Sequence, residues 1–260
     1  MAQSKKCYKC GLAAYTREHI PPLCLFPEIK DSGGNNYRIN LLTVPSCELH
    51  NTKKSKDDEF LLMSLAGIVG NNFLAYFHNK TKVKRAFQRK NKNFIDKIIK
   101  DRKEKIVYNS EGNSFPVYVG SPDLERLVTC FENIAYGVYN YEFNKVFTGE
   151  CKVLIGFLQY KIDVLEKYKL LVKNGFENKS QSTTSKGSNK VVFKYQFCKP
   201  ETPGLITVKM TFYGGSDVYV TFKESETDIP FDLTVALIEA GFKTYVEFEN
   251  GEFIEFNSET

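Results

Sequence analysis

The chain has 260 residues, 42% of them hydrophobic and 14% aromatic, with no tryptophan and a formal net charge of +5 at pH 7. That length supports one large or two modest cores, and the apolar content excludes a disordered chain. No apolar run reaches the roughly 18 residues that a membrane span requires, and the opening MAQSKKCYKC lacks the apolar core of a secretory signal. The expectation is a cytoplasmic protein with no membrane partner. Seven cysteines, two of them in a Cys-x2-Cys pair, then point to metal binding and free thiols rather than disulfides.

Taken in order, Cys7 to Cys10 reads as a tight turn followed by Gly11, and residues 13–20 as a short strand stopped by Pro21-Pro22, which cannot donate to a ladder. Residues 22–38 read as a loop with Ser-Gly-Gly-Asn-Asn at its tip. A second strand is expected at 40–44. Pro45-Ser46 then turns into a helix carrying Cys47, His50, Asn51 and Lys54 in its first turns. Residues 57–70 read as helical, and 73–102 as one or two basic helices with Phe73, Phe77, Phe87, Phe94, Ile98 and Ile99 at the apolar positions. Residues 105–109 and 115–119 form a hairpin pattern. Ser121-Pro122 reads as the start of an amphipathic helix with Leu124, Leu127, Val128, Phe131, Ile134, Ala135 and Val138 on one face. Beyond it a strand is expected at 152–160, a helix at 164–174 ended by Gly175, and a polar mobile loop at 177–190. An antiparallel meander follows at 191–198, 205–213 and 218–222. Then come a helix at 230–241 and a hairpin of 244–248 with 253–256 around Asn250-Gly251.

The charge is unevenly placed. Residues 80–105 hold twelve Lys/Arg against three acids, a local +9 against +5 overall, which leaves the rest of the chain at −4. A basic stripe on an otherwise slightly acidic protein points to a polyanion. A solvated helix face is the plain alternative.

Two kinds of ligand chemistry interleave between Cys7 and Glu59. Cys7-x2-Cys10 and, 36 residues on, Cys47-x2-His50 are two close-spaced pairs of the kind a tetrahedral structural zinc site requires. Glu18-His19, Asn40 and Asn51 are side chains that can activate a water and hold a hard cation through oxygen. His19, with an ordinary pKa of about 6.5, is the natural base near neutral pH. Cys24, Cys130, Cys151 and Cys198 stand alone and read as small buried apolar residues. His78 lies outside both sets and reads as structural or solvent-facing.

The run Glu18-His19-Ile20-Pro21, the Asn40-Leu41-Leu42 strand start and the Cys47, His50, Asn51 knuckle with Lys54 beyond it resemble the HNH endonucleases, the ββα-metal nucleases. The resemblance covers residues 5–60. It implies a zinc-stapled ββα-metal (HNH) module at 1–72. Joined to the elements read above, the expectation is an α+β fold: that module, a basic helical connector at 73–105, and a mixed α+β domain with antiparallel strands at 106–260. The resemblance also implies a metal-dependent hydrolysis of DNA phosphodiesters leaving 5′-phosphate and 3′-hydroxyl ends. His19 would be the general base, with Asn40 ordering the loop that aims it. Glu18 and Asn51 would hold a catalytic Mg²⁺ (or Mn²⁺), and Cys7, Cys10, Cys47 and His50 a structural Zn²⁺. Arg17, Lys54, Lys82, Arg85 and Arg89 are the candidate nucleic-acid contacts. An alternative ligand assignment gives His50 to the catalytic ion and Cys24 to the zinc.

Stand-alone members with an extra domain suggest restriction or anti-phage defence by analogy. Residues 106–260 would then serve recognition, self-association or a protein partner. The competing readings are a non-catalytic zinc-knuckle nucleic-acid binder, an RNase on the same site, and a nuclease silent until a partner engages.

Overall fold

A computed structural model describes residues 5–51, 55–89, 98–198, 202–248 and 251–257. Lys54, residues 90–97 of the basic segment and Asn250 lie outside the described residues.

The N-terminal turn closes on itself: the Cys7 N–H donates to Leu12 O at 2.7 Å and the Gly11 N–H to Cys7 O at 3.0 Å. Gly11 sits at φ +71°, the left-handed region that a residue without Cβ enters at no cost. β1 (Thr16–His19) then pairs antiparallel with β2 (Thr43–Ser46), setting Arg17 opposite Pro45, Glu18 opposite Val44 and His19 opposite Thr43. Pro45 was expected in the turn after the second strand, but it lies inside β2. It is tolerated there because β2 belongs to a two-stranded sheet. Its carbonyl accepts the Tyr8 N–H at 2.9 Å, which fastens the knuckle to the hairpin. α1 (Glu48–Asn51) begins directly after Cys47.

α2 (Ser55–Ala66) lies near the expected helix. α3 (Phe73–His78) is capped by Asn72, whose side chain accepts from the N–H groups of Leu74 and Ala75. A π-turn over Asn79–Val83 leads into α4 (Lys84–Arg89). The expected basic helix does not reach 102. The chain is already extended in β3 (Ile99–Tyr108), which pairs with β4 (Ser114–Pro122). Ser121 and Pro122 therefore end a strand rather than start a helix, facing Lys100 and Ile99. The cap of α5 (Leu124–Phe143) is Asp123, which accepts from the Arg126 N–H. Non-local pairing outweighed two local helix signals.

The remaining elements are β5 (Glu150–Ile155), α6 (Asp163–Lys179), β6 (Lys186–Asn189), β7 (Phe193–Cys198), β8 (Leu205–Phe212), β9 (Ser216–Lys223), α7 (Phe231–Glu239), β10 (Thr244–Glu247) and β11 (Phe253–Phe256). The larger sheet has the order β5-β9-β8-β7-β6, and β10 pairs only with β11. Gly175 does not end α6. The helix continues to Lys179, and Phe176, one residue past the glycine, packs with Leu154, Cys198 and Tyr219. The expected loop at 177–190 contains the end of α6 and all of β6, where Lys186 faces Tyr195 and Asn189 faces Phe193. A polar strand with no apolar alternation gives no period to read.

The chain divides into two compact units. Unit 1 comprises residues 1–147, 186–195 and 210–216, and unit 2 comprises 148–185, 196–209 and 217–260. In unit 1, Phe131 of α5 meets the Phe212 ring at 5.5 Å, and Phe212 meets Phe193 at 5.1 Å. Tyr213, fully buried, donates its hydroxyl to Leu25 O at 2.6 Å. α5 also braces the end of β1: a Cβ on Gly137 would lie 2.4 Å from Ile20 Cδ1, so only glycine admits that approach. In unit 2, Phe176 and Tyr219 meet edge to face at 5.7 Å.

Candidate metal centre and its neighbouring histidine

The knuckle, β2 and α1 bring Cys7, Cys10, Cys47 and His50 together, with all four ligand atoms within 4.8 Å of one another. Cys10 Sγ and Cys47 Sγ are 3.8 Å apart, and His50 Nδ1 lies 3.5 Å from Cys7 Sγ and 3.2 Å from Cys47 Sγ. Ligands at zinc bond lengths and tetrahedral angles stand about 3.8 Å apart for two sulfurs and about 3.6 Å for sulfur and nitrogen. The group can therefore hold a metal such as zinc. Its histidine ligand atom is Nδ1.

The electrostatics fit thiolate ligation. Burial pushes the Cys7 thiol up, yet the backbone N–H groups of Cys10, Lys9 and Cys47 together outweigh it and bring it below its ordinary value. Cys10 is held above its ordinary value, by burial first and then by the neighbouring sulfurs, a crowding that a cation relieves. Cys24 lies outside the group. Its Sγ donates to Asp58 O at 3.2 Å, and burial, then the Asp58 charge, push its thiol up to about 12. Of the isolated cysteines Cys130 and Cys198 are buried as expected, whereas Cys24 and Cys151 are only half-buried.

His19 ends β1, half-buried. Burial first, and then the charge of Arg38, hold its imidazole below the ordinary pKa, so the ring is neutral and able to accept a proton at neutral pH. Successive strand residues point to opposite faces. Arg17 and His19 therefore share the outer face, while Glu18, 8% exposed, faces inward. There Glu18 accepts a hydrogen bond from the Tyr8 phenol, which burial and then this carboxylate raise above its ordinary pKa.

Asn51, at the end of α1, donates to Thr16 Oγ1 at 2.9 Å and to Arg17 O at 3.5 Å, leaving Oδ1 as the amide atom that could meet a cation. Asn40 is exposed with φ +51°, a left-handed position that asparagine enters more readily than most residues. The structure thus ties Asn51 to β1 but does not bring Glu18 to the His19 face.

The candidate nucleic-acid contacts separate into several kinds. Arg17 is exposed and bonds only neutral groups, Thr43 Oγ1 at 2.7 Å and Thr43 O at 2.9 Å. Arg85 is clamped by Asp31 through two bonds of 2.8 and 2.6 Å, and that hydrogen bonding holds the aspartate below its ordinary pKa. Lys82 is half-buried with its ammonium 3.4 Å from Cys24 O. Arg89 is exposed and donates to Arg85 O. His78 is fully buried, with Nδ1 3.3 Å from the Tyr213 hydroxyl. Sequence reasoning missed Arg38 and Tyr8. Both act on the site from irregular segments, where no periodicity or spacing marks them.

A scan against protein-family models, a search of curated proteins and a search of solved structures each found no match to this chain.

Proposed function

We propose that the protein is an endonuclease of the HNH kind that hydrolyses phosphodiester bonds in DNA. The observation that carries this reading is a neutral, half-buried His19 at the end of a two-stranded hairpin, followed by a helix bearing Asn51. A Cys3His group fixes that hairpin to the helix. His19 would take a proton from a water as its oxygen bonds phosphorus and the bond to the 3′ oxygen breaks. The products are a 5′-phosphate and, after proton uptake from solvent, a 3′-hydroxyl. A bound Mg²⁺ would supply charge stabilisation at the phosphate. Glu18 is turned toward Tyr8. The zinc at Cys7, Cys10, Cys47 and His50 would be structural.

The inward Glu18 favours a second reading, a zinc-stapled nucleic-acid binder that does not cleave. Plasmid nicking with Mg²⁺, Mn²⁺ or EDTA, wild type beside His19→Ala, separates the two. The nuclease reading expects metal-dependent nicking that falls by about 10² to 10⁴ in the variant, with zinc content unchanged. Equal activity of both proteins sinks it. A parallel RNA substrate decides whether DNA is the preferred backbone. The analogy to restriction or anti-phage defence belongs to this same reading and rests on it.

A further inference from the structure

A groove of about 1020 Å³ in unit 1 runs along β2 of the β1–β2 hairpin, closed on the other side by the end of α5. Lys5, Lys6, Arg17 and Lys145 line it, and among the described residues no carboxylate does. Of the acids adjoining the lining residues in sequence, Glu142 is taken up by Lys186 and by the Tyr195 hydroxyl, and Glu18 is buried facing inward. Thr43 and Pro45 lie in the floor, and Thr43 is the cross-strand partner of His19. The groove therefore follows the β2 strand up to the residue that pairs with His19.

We infer that this groove, and not the helical part of the basic 80–105 segment, is where a nucleic-acid strand is held by its phosphates. The inference rests on the nuclease reading for the identity of the polyanion. Concavity together with charge separates the two surfaces. In the helical segment Arg85 is neutralised by Asp31 and Lys82 is half-buried against a carbonyl, which leaves Lys80, Lys84 and Arg89 exposed but not gathered in a groove of this size. In the groove all four cations are exposed, and none is ion-paired among the described residues.

The C-terminal end of α5 adds an opposing charge of about half a unit. Four full positive charges, one of them on Lys145 just past that end, outweigh it. Tyr141, 49% exposed on the groove wall, offers a ring on which an unpaired base can stack. Asn144, held left-handed at φ +52° as the α5 cap, is fixed in the same wall.

The test is fluorescence anisotropy of a labelled DNA duplex with the zinc-loaded full chain, without added Mg²⁺, across about 50 to 200 mM salt. The triple variant Lys5→Gln, Lys6→Gln, Lys145→Gln should bind at least about tenfold more weakly. Its plot of log affinity against log salt should be shallower by about 2 to 3, since each neutralised phosphate contributes about 0.9. Lys145→Glu alone should weaken binding in the same direction, and both proteins should keep wild-type zinc content. The comparison variant Lys82→Gln, Arg89→Gln should bind nearly as wild type does.

A triple variant with wild-type affinity, or a comparison variant that loses as much, overturns the groove. Wild-type protein that binds no DNA overturns the groove and the nuclease reading together. Groove-dependent binding without any nicking by the wild type leaves the groove standing and removes the nuclease.

Discussion

At the scale of residues, burial lowers the pKa of two histidines. His19 is neutral because burial, then Arg38, disfavour its cation. On the proposed nuclease reading, a base that must be neutral to work keeps its activity down to its own pKa, so the acid limb of the rate profile should lie below about pH 6.5. Arg38→Gln should move that limb upward, and an unmoved limb would remove Arg38 from any role at His19.

His78 is lowered from 6.5 to about 4, mainly by burial, with Lys82 and Arg38 assisting and Asp31 and Glu28 opposing. The fold therefore holds the neutral ring. Its contribution is complete above pH 6.5 and is lost as pH falls toward 4. Between about pH 7.5 and pH 5 that amounts to about 2 kcal/mol. Urea unfolding of wild type and His78→Asn at the two pH values checks it, since the variant should lose less on acidification. An equal loss in both proteins would contradict the assignment.

At the scale of elements, a metal held by the Cys3His group would staple three short pieces of chain. The N-terminal turn, the residue that joins β2 to α1, and the four-residue α1 each contribute to the group, and a helix that short is not stable by itself. Structural zinc in small peptides contributes about 10–16 kcal/mol of apparent affinity, so a zinc bound here would add to a small local core. Chelation, or Cys47→Ser, should therefore abolish zinc binding and lower the melting temperature. It should also expose the 5–51 region to proteolysis before the rest of the chain. Unchanged proteolysis in metal-free protein would show that the hairpin holds without the staple. The four ligands were legible in sequence because spacing alone defines such a site. The β3–β4 hairpin was legible only in part, because its outer residues pair across more than twenty positions and carry local helix signals.

At the scale of the whole molecule, the unit that contains the candidate site is not a contiguous stretch of chain. Residues 186–195 and 210–216 belong to it, and they supply Phe193, Phe212 and Tyr213 to its interior. Burying one such aromatic is worth about 1.5–3 kcal/mol. A fragment ending at Phe147 should accordingly fail to give a cooperative melt, although it retains every zinc ligand and His19. A soluble, cooperatively melting 1–147 fragment would show that the later segments are dispensable.

Sequence by itself determined the Cys3His group that could hold a metal, the hairpin-then-helix order around His19, the amphipathic α5 and most of the C-terminal strands, because residue spacing and hydrophobic period are local properties. Tertiary structure alone decided the inward turn of Glu18 to Tyr8, the pairing of Arg85 with Asp31 that takes it out of the basic stripe, and the strand at Ile99 where helix was expected. It also gathered Lys5, Lys6, Arg17 and Lys145 along one groove. These outcomes depend on which distant groups meet. A charge or a carboxylate shows its partner only once the chain has closed around it.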